Sequence, residues 1–93
     1  DTLCYFGPLE DVFQAAHTSL RPGGWLVFSV EDGRDQPDGH ALQITGRYVH
    51  REDYVDGALE RAGFETRFIE HDVLRSEMLV PVQGLICAAR RSA

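Results

Sequence analysis

Ninety-three residues with 43 % hydrophobic content suffice for one domain with one core, at the small end of the usual range. A net charge of −6 argues against a general binder of nucleic acid or anionic membranes. All nine basic residues are arginines, so lysine Schiff-base chemistry is excluded within this chain.

Asp1 to Gly7 is apolar and aromatic and ends at a Gly7–Pro8 break. Pro8 suits the first turn of a helix. Leu9, Val12, Phe13, Ala16 and Leu20 then recur at helical spacing and predict an amphipathic helix. Glu10 and Asp11 fall in its first turn, where the helix dipole favours acids. Leu20 to Gly24 ends that helix in a tight turn, with Gly23 and Gly24 supplying positive φ. Trp25 to Val30 runs almost without a polar break and predicts a strand covered on both faces. The rest of the chain is arranged around that strand.

From Glu31 to Gly46 no period is visible, and Glu31, Asp32, Asp35 and Asp38 alternate with glycine and proline. The stretch predicts a long loop, of a length that suggests function. Arg47 to His50 leads into a second helix over 51–62, with Tyr54, Val55, Ala58, Leu59 and Ala62 as its inner stripe. Gly63 is its stop, and Gly57 weakens it by about 1 kcal/mol relative to alanine. Phe64 to Asp72 alternates loosely, as a half-exposed edge strand does. Arg75 to Gln83, broken by Pro81, reads as a second loop. Leu85 to Ala89 is apolar on both parities, as in an interior strand, and a charged tail follows.

The order is therefore helix, strand, helix, strand, strand, an α/β arrangement. Strand, helix and strand over 25–72 predict two parallel strands with a right-handed crossover. No helix joins the last two strands, so they should pair antiparallel. The apolar last strand belongs inside, between its two partners, with 64–72 on the edge. Residues 31–50 and 72–84 then share the sheet edge where open α/β folds bind ligands. The turns at 21–24 and 63 fall at the opposite edge and read as purely structural.

An interior antiparallel strand closing a parallel sheet resembles the class I S-adenosylmethionine-dependent methyltransferases. Asp1 to Gly7 resembles the segment after that family's fourth strand. Leu20 to Ser29 resembles its L-x-P-G-G turn into the fifth strand, and Arg61 to Phe64 its x-A-G-F turn into the sixth. Gly46 to His50, Arg75 with Glu77, and Pro81 to Gly84 resemble a type-12-like, TPR-associated subgroup. The resemblance implies a partial Rossmann-like sheet in which the family's seventh strand lies between the fifth and sixth, flanked by two helices. The family's glycine-rich cofactor loop and ribose-binding acid have no counterpart here. The chain, which begins at Asp1 rather than Met, thus resembles the C-terminal half of such a domain, with S-adenosylmethionine held mainly by residues upstream.

By the same resemblance Asp1, Leu3 and Tyr5 lie near the cofactor's sulfonium, where an aromatic ring such as Tyr5 or Phe6 would stabilise the cation. Tyr5 could equally pack the helix start. Tyr48 and His50 fall on the expected site edge. His50 reads as a general base for an acceptor hydroxyl or amine, or as a helix cap. Arg75 and Glu77, with Tyr48, are candidates for contacting the acceptor, Arg75 by pairing an acidic group; a surface arginine is the plainer alternative. Arg47 is a further polar residue beside the site. His17 and His71 read as solvated. The acidic loop with His40 lacks calcium-loop spacing, so no metal is expected.

Cys4 and Cys87 have neither CxxC nor zinc-finger spacing and read as two buried, reduced thiols. No long apolar run or signal peptide occurs, so a cytoplasmic protein is expected, with no membrane or nucleic-acid partner. The expected function is methyl transfer to a small-molecule or protein acceptor. The alternative is a non-catalytic α/β module for protein interaction. Self-association is expected for these residues alone, through the edge of the 25–30 strand.

Overall fold

The computed structural model describes residues 2–43, 45–77 and 79–92, with the backbone alone at 2, 4, 75, 77 and 80. A 3-10 turn, Thr2–Tyr5, precedes α1 (Glu10–Ser19), β1 (Trp25–Asp32), β2 (His40–Leu42) and β3 (Tyr48–His50). α2 (Glu52–Arg61), β4 (Phe64–Glu77) and β5 (Val80–Arg91) complete the chain. The strands form one sheet in the order β2-β3-β1-β5-β4. β5 is antiparallel to both β1 and β4, so those two run parallel, as the element order implies.

One parity of the sheet carries the core. Leu26, Phe28 and Val30 on β1 stand opposite Ala89, Cys87 and Leu85 on β5. Leu9 at the N-cap of α1 and Phe13 within it, and Val55, Ala58 and Leu59 from α2, pack on them. These are the stripes expected from the helical spacing. Phe13, Leu9 and Leu59 are fully buried, and each such side chain contributes roughly 1.5–3 kcal/mol. Cys87 lies among them as a free thiol that burial pushes up to about 12.

The other parity is bare. Val27 is 65 % exposed, Trp25 49 % and Phe68 45 %. The expectation that Trp25 to Val30 is covered on both faces therefore holds for one face only, because both helices pack on the same side.

Helix ends follow their local chemistry. Gly63 takes φ 93° after α2 and Gly23 takes φ 80° after α1, a region closed to most side chains. Gly24 does not need positive φ. It permits close approach instead, since a Cβ there would lie 2.9 Å from the Arg21 carbonyl.

Two expected loops are largely strand. Within 31–46, β1 runs on to Asp32 and β2 forms, pairing antiparallel with β3; β3 in turn lies parallel to Glu31 and Asp32. The second loop, 75–83, is absent as such: β4 and β5 extend until only positions 78 and 79 separate them. Pro81 is tolerated because β5 there has β4 as its one neighbour, so its missing N–H breaks no second ladder. The two arms project past the end of β1, whose Glu31 pairs with Gly84, and the molecule's longest dimension is 43 Å.

Candidate functional site

The edge where β1 ends gathers side chains from five elements. Its buried half centres on His50. The ring is fully buried, and Nε2 donates to the carbonyl oxygens of Phe6 (2.8 Å) and Gly7 (3.0 Å). A nitrogen donating to two carbonyls carries the proton, which leaves Nδ1 as an acceptor with no partner. Burial lowers the His50 pKa; the two carbonyls act against it more weakly.

Aromatic rings surround it. Tyr54 lies nearly parallel to His50, with centroids 6.4 Å apart, and His40 meets Tyr48 and Tyr54 edge-on. Two glycines make room: a Cβ on Gly7 would reach within 2.7 Å of the Tyr48 ring, and one on Gly39 within 2.5 Å of Tyr54. The Tyr54 hydroxyl accepts from the Leu9 N–H (2.8 Å) and donates to Glu10 (2.7 Å). Desolvation is the main cause that raises its pKa to about 12. Leu9 makes no side-chain cap for α1, and the Tyr54 hydroxyl satisfies the N–H of the cap residue itself, one of the donors a helix start leaves without an internal acceptor.

The open half is a cavity of about 380 Å³ between the end of β1 and the start of α2. Asp32, whose side chain is only 2 % exposed, receives the Arg34 guanidinium (Nε to Oδ2, 2.9 Å). His71 bridges two carboxylates, with Nδ1 3.2 Å from Asp32 and Nε2 2.6 Å from Glu52. Asp53, Asp56 and Arg51 complete the wall, and Arg51 pairs with Asp53 at 2.8 Å. His71 is exposed, as the sequence leads one to expect, and also has these two carboxylates as hydrogen-bonding neighbours. Among the described residues no group of three His, Cys, Asp or Glu side chains is arranged to hold a metal ion.

The expected site residues separate into groups. Tyr48 and His50 do share this edge, on β3 rather than at the start of a helix. Tyr48 is half-buried against Gly7, whereas His50 is fully buried. A general base must reach its substrate's proton, and in this structure the one free nitrogen of His50 is enclosed. Leu3 packs against the core, while Tyr5 is 62 % exposed and Phe6 43 %. Asp1 lies outside the described residues, as do the side chains of Arg75 and Glu77. The backbone of those two runs along the β4 arm, paired with Val82 and Val80. Asp32, Arg34, Glu52 and His71 were not singled out as a site. The one available signal was Asp32 at the end of the organising strand.

No family model matches the chain, and no curated protein matches it in sequence. Its fold matches several solved structures. A SAM-dependent methyltransferase from Methanosarcina mazei superposes with TM-score 0.67 and 13 % identity, over 89 % of this chain and 50 % of its own. An S-adenosylmethionine-dependent methyltransferase from Mesorhizobium loti gives 0.68 and 22 %, over 96 % and 58 %. The 1,6-didemethyltoxoflavin-N1-methyltransferase of Burkholderia thailandensis, solved with 1,6-didemethyltoxoflavin and S-adenosylhomocysteine, gives 0.67 and 18 %, over 90 % and 36 %. The chain spans about half the length of the first two and a smaller share of the third. What is shared at these identities is the fold, an α/β sheet of Rossmann-like type.

Proposed function

We propose that these residues form the acceptor-side part of an S-adenosylmethionine-dependent methyltransferase domain. The observation that carries the reading is the sheet order, with the last strand antiparallel between β1 and β4, together with the likeness to methyltransferase structures over most of the chain. The cofactor supplies a methyl group on a sulfonium. This chain's residues fit a peripheral share of its binding: the exposed rings of Tyr5 and Phe6 offer π-faces to a cation, and no glycine-rich loop is present. Asp1 and Leu3 belong to the same segment.

Methyl transfer asks mainly for an acceptor held in line and shielded from water. Tyr48 orients the acceptor in this reading, and Arg75 and Glu77 contact it from the β4 arm. His50 acts as a positioning residue: its two hydrogen bonds fix the Phe6–Gly7 backbone on which the exposed rings are carried. The decisive experiment uses the full reading frame that contains these residues. It should bind S-adenosylhomocysteine by calorimetry and transfer labelled methyl, while residues 1–93 alone bind weakly or not at all. A full-length protein that binds no cofactor would overturn the reading.

The second reading, an interaction module, draws on the bare face of Trp25, Val27 and Phe68. It gains if cofactor binding fails while the chain still self-associates.

A further inference from the structure

Three elements meet at one exposed imidazole. His71 stands on β4, with Nε2 2.6 Å from Glu52 at the start of α2 and Nδ1 3.2 Å from Asp32 at the end of β1. The two carboxylates differ in setting: the Asp32 side chain is 2 % exposed, whereas that of Glu52 is about half exposed. Asp32 also accepts from Arg34 Nε and Nη2. Other charged groups lie on the neighbouring elements. Arg51, just before α2, pairs with Asp53, and Asp56 lines the same cavity one turn on. β5 sets the apolar Leu85 opposite His71. Cys87, two residues further along β5, is buried, and its thiol, pushed up to about 12, stays neutral. On β4 itself Glu70 and Asp72 fall on the opposite face of the strand.

A carboxylate only accepts hydrogen bonds, and a neutral imidazole has one N–H to give. With Nε2 donating to Glu52, the neutral ring turns its Nδ1 lone pair toward Asp32. Arg34 Nη2 can then donate to that nitrogen, but from a long 3.4 Å. The imidazolium donates to both carboxylates at once, and both contacts become charge-assisted. It also balances the group, with Asp32 and Glu52 set against Arg34 and His71. With the ring neutral, the same four side chains carry one uncompensated negative charge.

We infer that His71 is a proton-operated clasp, which as imidazolium ties the first turn of α2 to the end of β1 and as a neutral ring lets go of β1. The tie falls where α2 needs one, because its N-cap residue, Arg51, makes no side-chain cap. A helix end without a cap opens at low free energy, so a weak tie there is felt. Glu52 and Asp32 both wall the cavity of about 380 Å³, and the clasp sets how firmly that wall is held as the pH changes. The inference does not depend on methyl transfer.

The sign follows from linkage. Favouring the imidazolium in the folded state gives stability that is present at low pH and lost as the pH rises, opposite to the effect of burying His50. Hydrogen exchange in the full chain reads it, with rates corrected for intrinsic exchange. Protection from Val55 onward, where amides first bond within α2, should be about threefold greater at about pH 6 than at about pH 8. That is the scale of one exposed ion pair. Taking the ratio to β1 amides removes global opening, and with it the contribution of His50. His71→Gln, which keeps a donor but cannot gain a proton, should abolish the pH difference. Glu52→Gln, which removes the charge on the α2 side, should do the same, and it decides the matter should His71→Gln fail to fold. No pH difference in the parent chain, or a difference that persists in either folded variant, would overturn the inference.

Discussion

His50 and Tyr54 show what single residues do here. His50→Ala removes the donor for two carbonyls and leaves a cavity, so it should cost about 2–4 kcal/mol by urea unfolding. Its titration gives a second, independent signature. Burial holds the folded pKa below the ordinary 6.5, so the unfolded chain binds more protons as the pH falls. The associated stability is complete above that value and is lost as the pH drops toward the folded pKa. His50→Gln should therefore flatten the dependence of unfolding free energy on pH between about pH 7 and 5. An unchanged slope would show that His50 does not titrate on unfolding. Tyr54→Phe keeps the ring but strips the Leu9 N–H of its acceptor, with an expected loss of about 1 kcal/mol. It should also abolish the phenolate absorbance that rises near pH 12.

At the scale of elements, β4 is shaped by two bulges, between Thr66 and Phe68 and between Val73 and Arg75. Leu74 is the extra residue of the second, and its side chain folds over Gly84, where a Cβ would collide with it. Gly84→Val should thus cost about 2–3 kcal/mol by overpacking, and Leu74→Ala in the same chain should recover part of the loss. If the single variant is neutral in urea, the two arms are not packed as described. The elements also divide by how they announce themselves. Both helices, the 25–30 strand and the interior position of the last strand were legible, because their apolar spacing extends over many residues. β2 and β3 were not: three residues show no period, and they exist only through pairing with each other and with the end of β1. Pro81 marked a loop because sequence alone does not say that β5 has one neighbour there. The role of His71 was hidden for a related reason, since its partners are 39 and 19 residues away.

For the whole molecule, the open question of surface is association. Among the described residues Trp25 to Val30 pairs with β5 alone, and β3 reaches Glu31 and Asp32 on the other side. An apolar row of free N–H and C=O groups beside a bare face is a template for another strand. Residues 1–93 should therefore show a concentration-dependent mass in sedimentation equilibrium at micromolar levels. Val27→Lys, which places a charge on that row, should return the chain to monomer. A monomeric parent chain with slow amide exchange along both sides of β1 would contradict the open edge.

The position of β5 also sets a timetable. β5, which follows β1 and β4 in the chain, is the strand that separates and joins them. While the chain emerges from a ribosome, those two strands exist without the partner they share, and pairing them directly would be a trap to undo. Assembly must wait for residues 80–91, which makes this a late-committing fold of high contact order. A nascent chain stalled before Gly84 should stay open to protease, and one tethered by a long linker beyond position 93 should resist it.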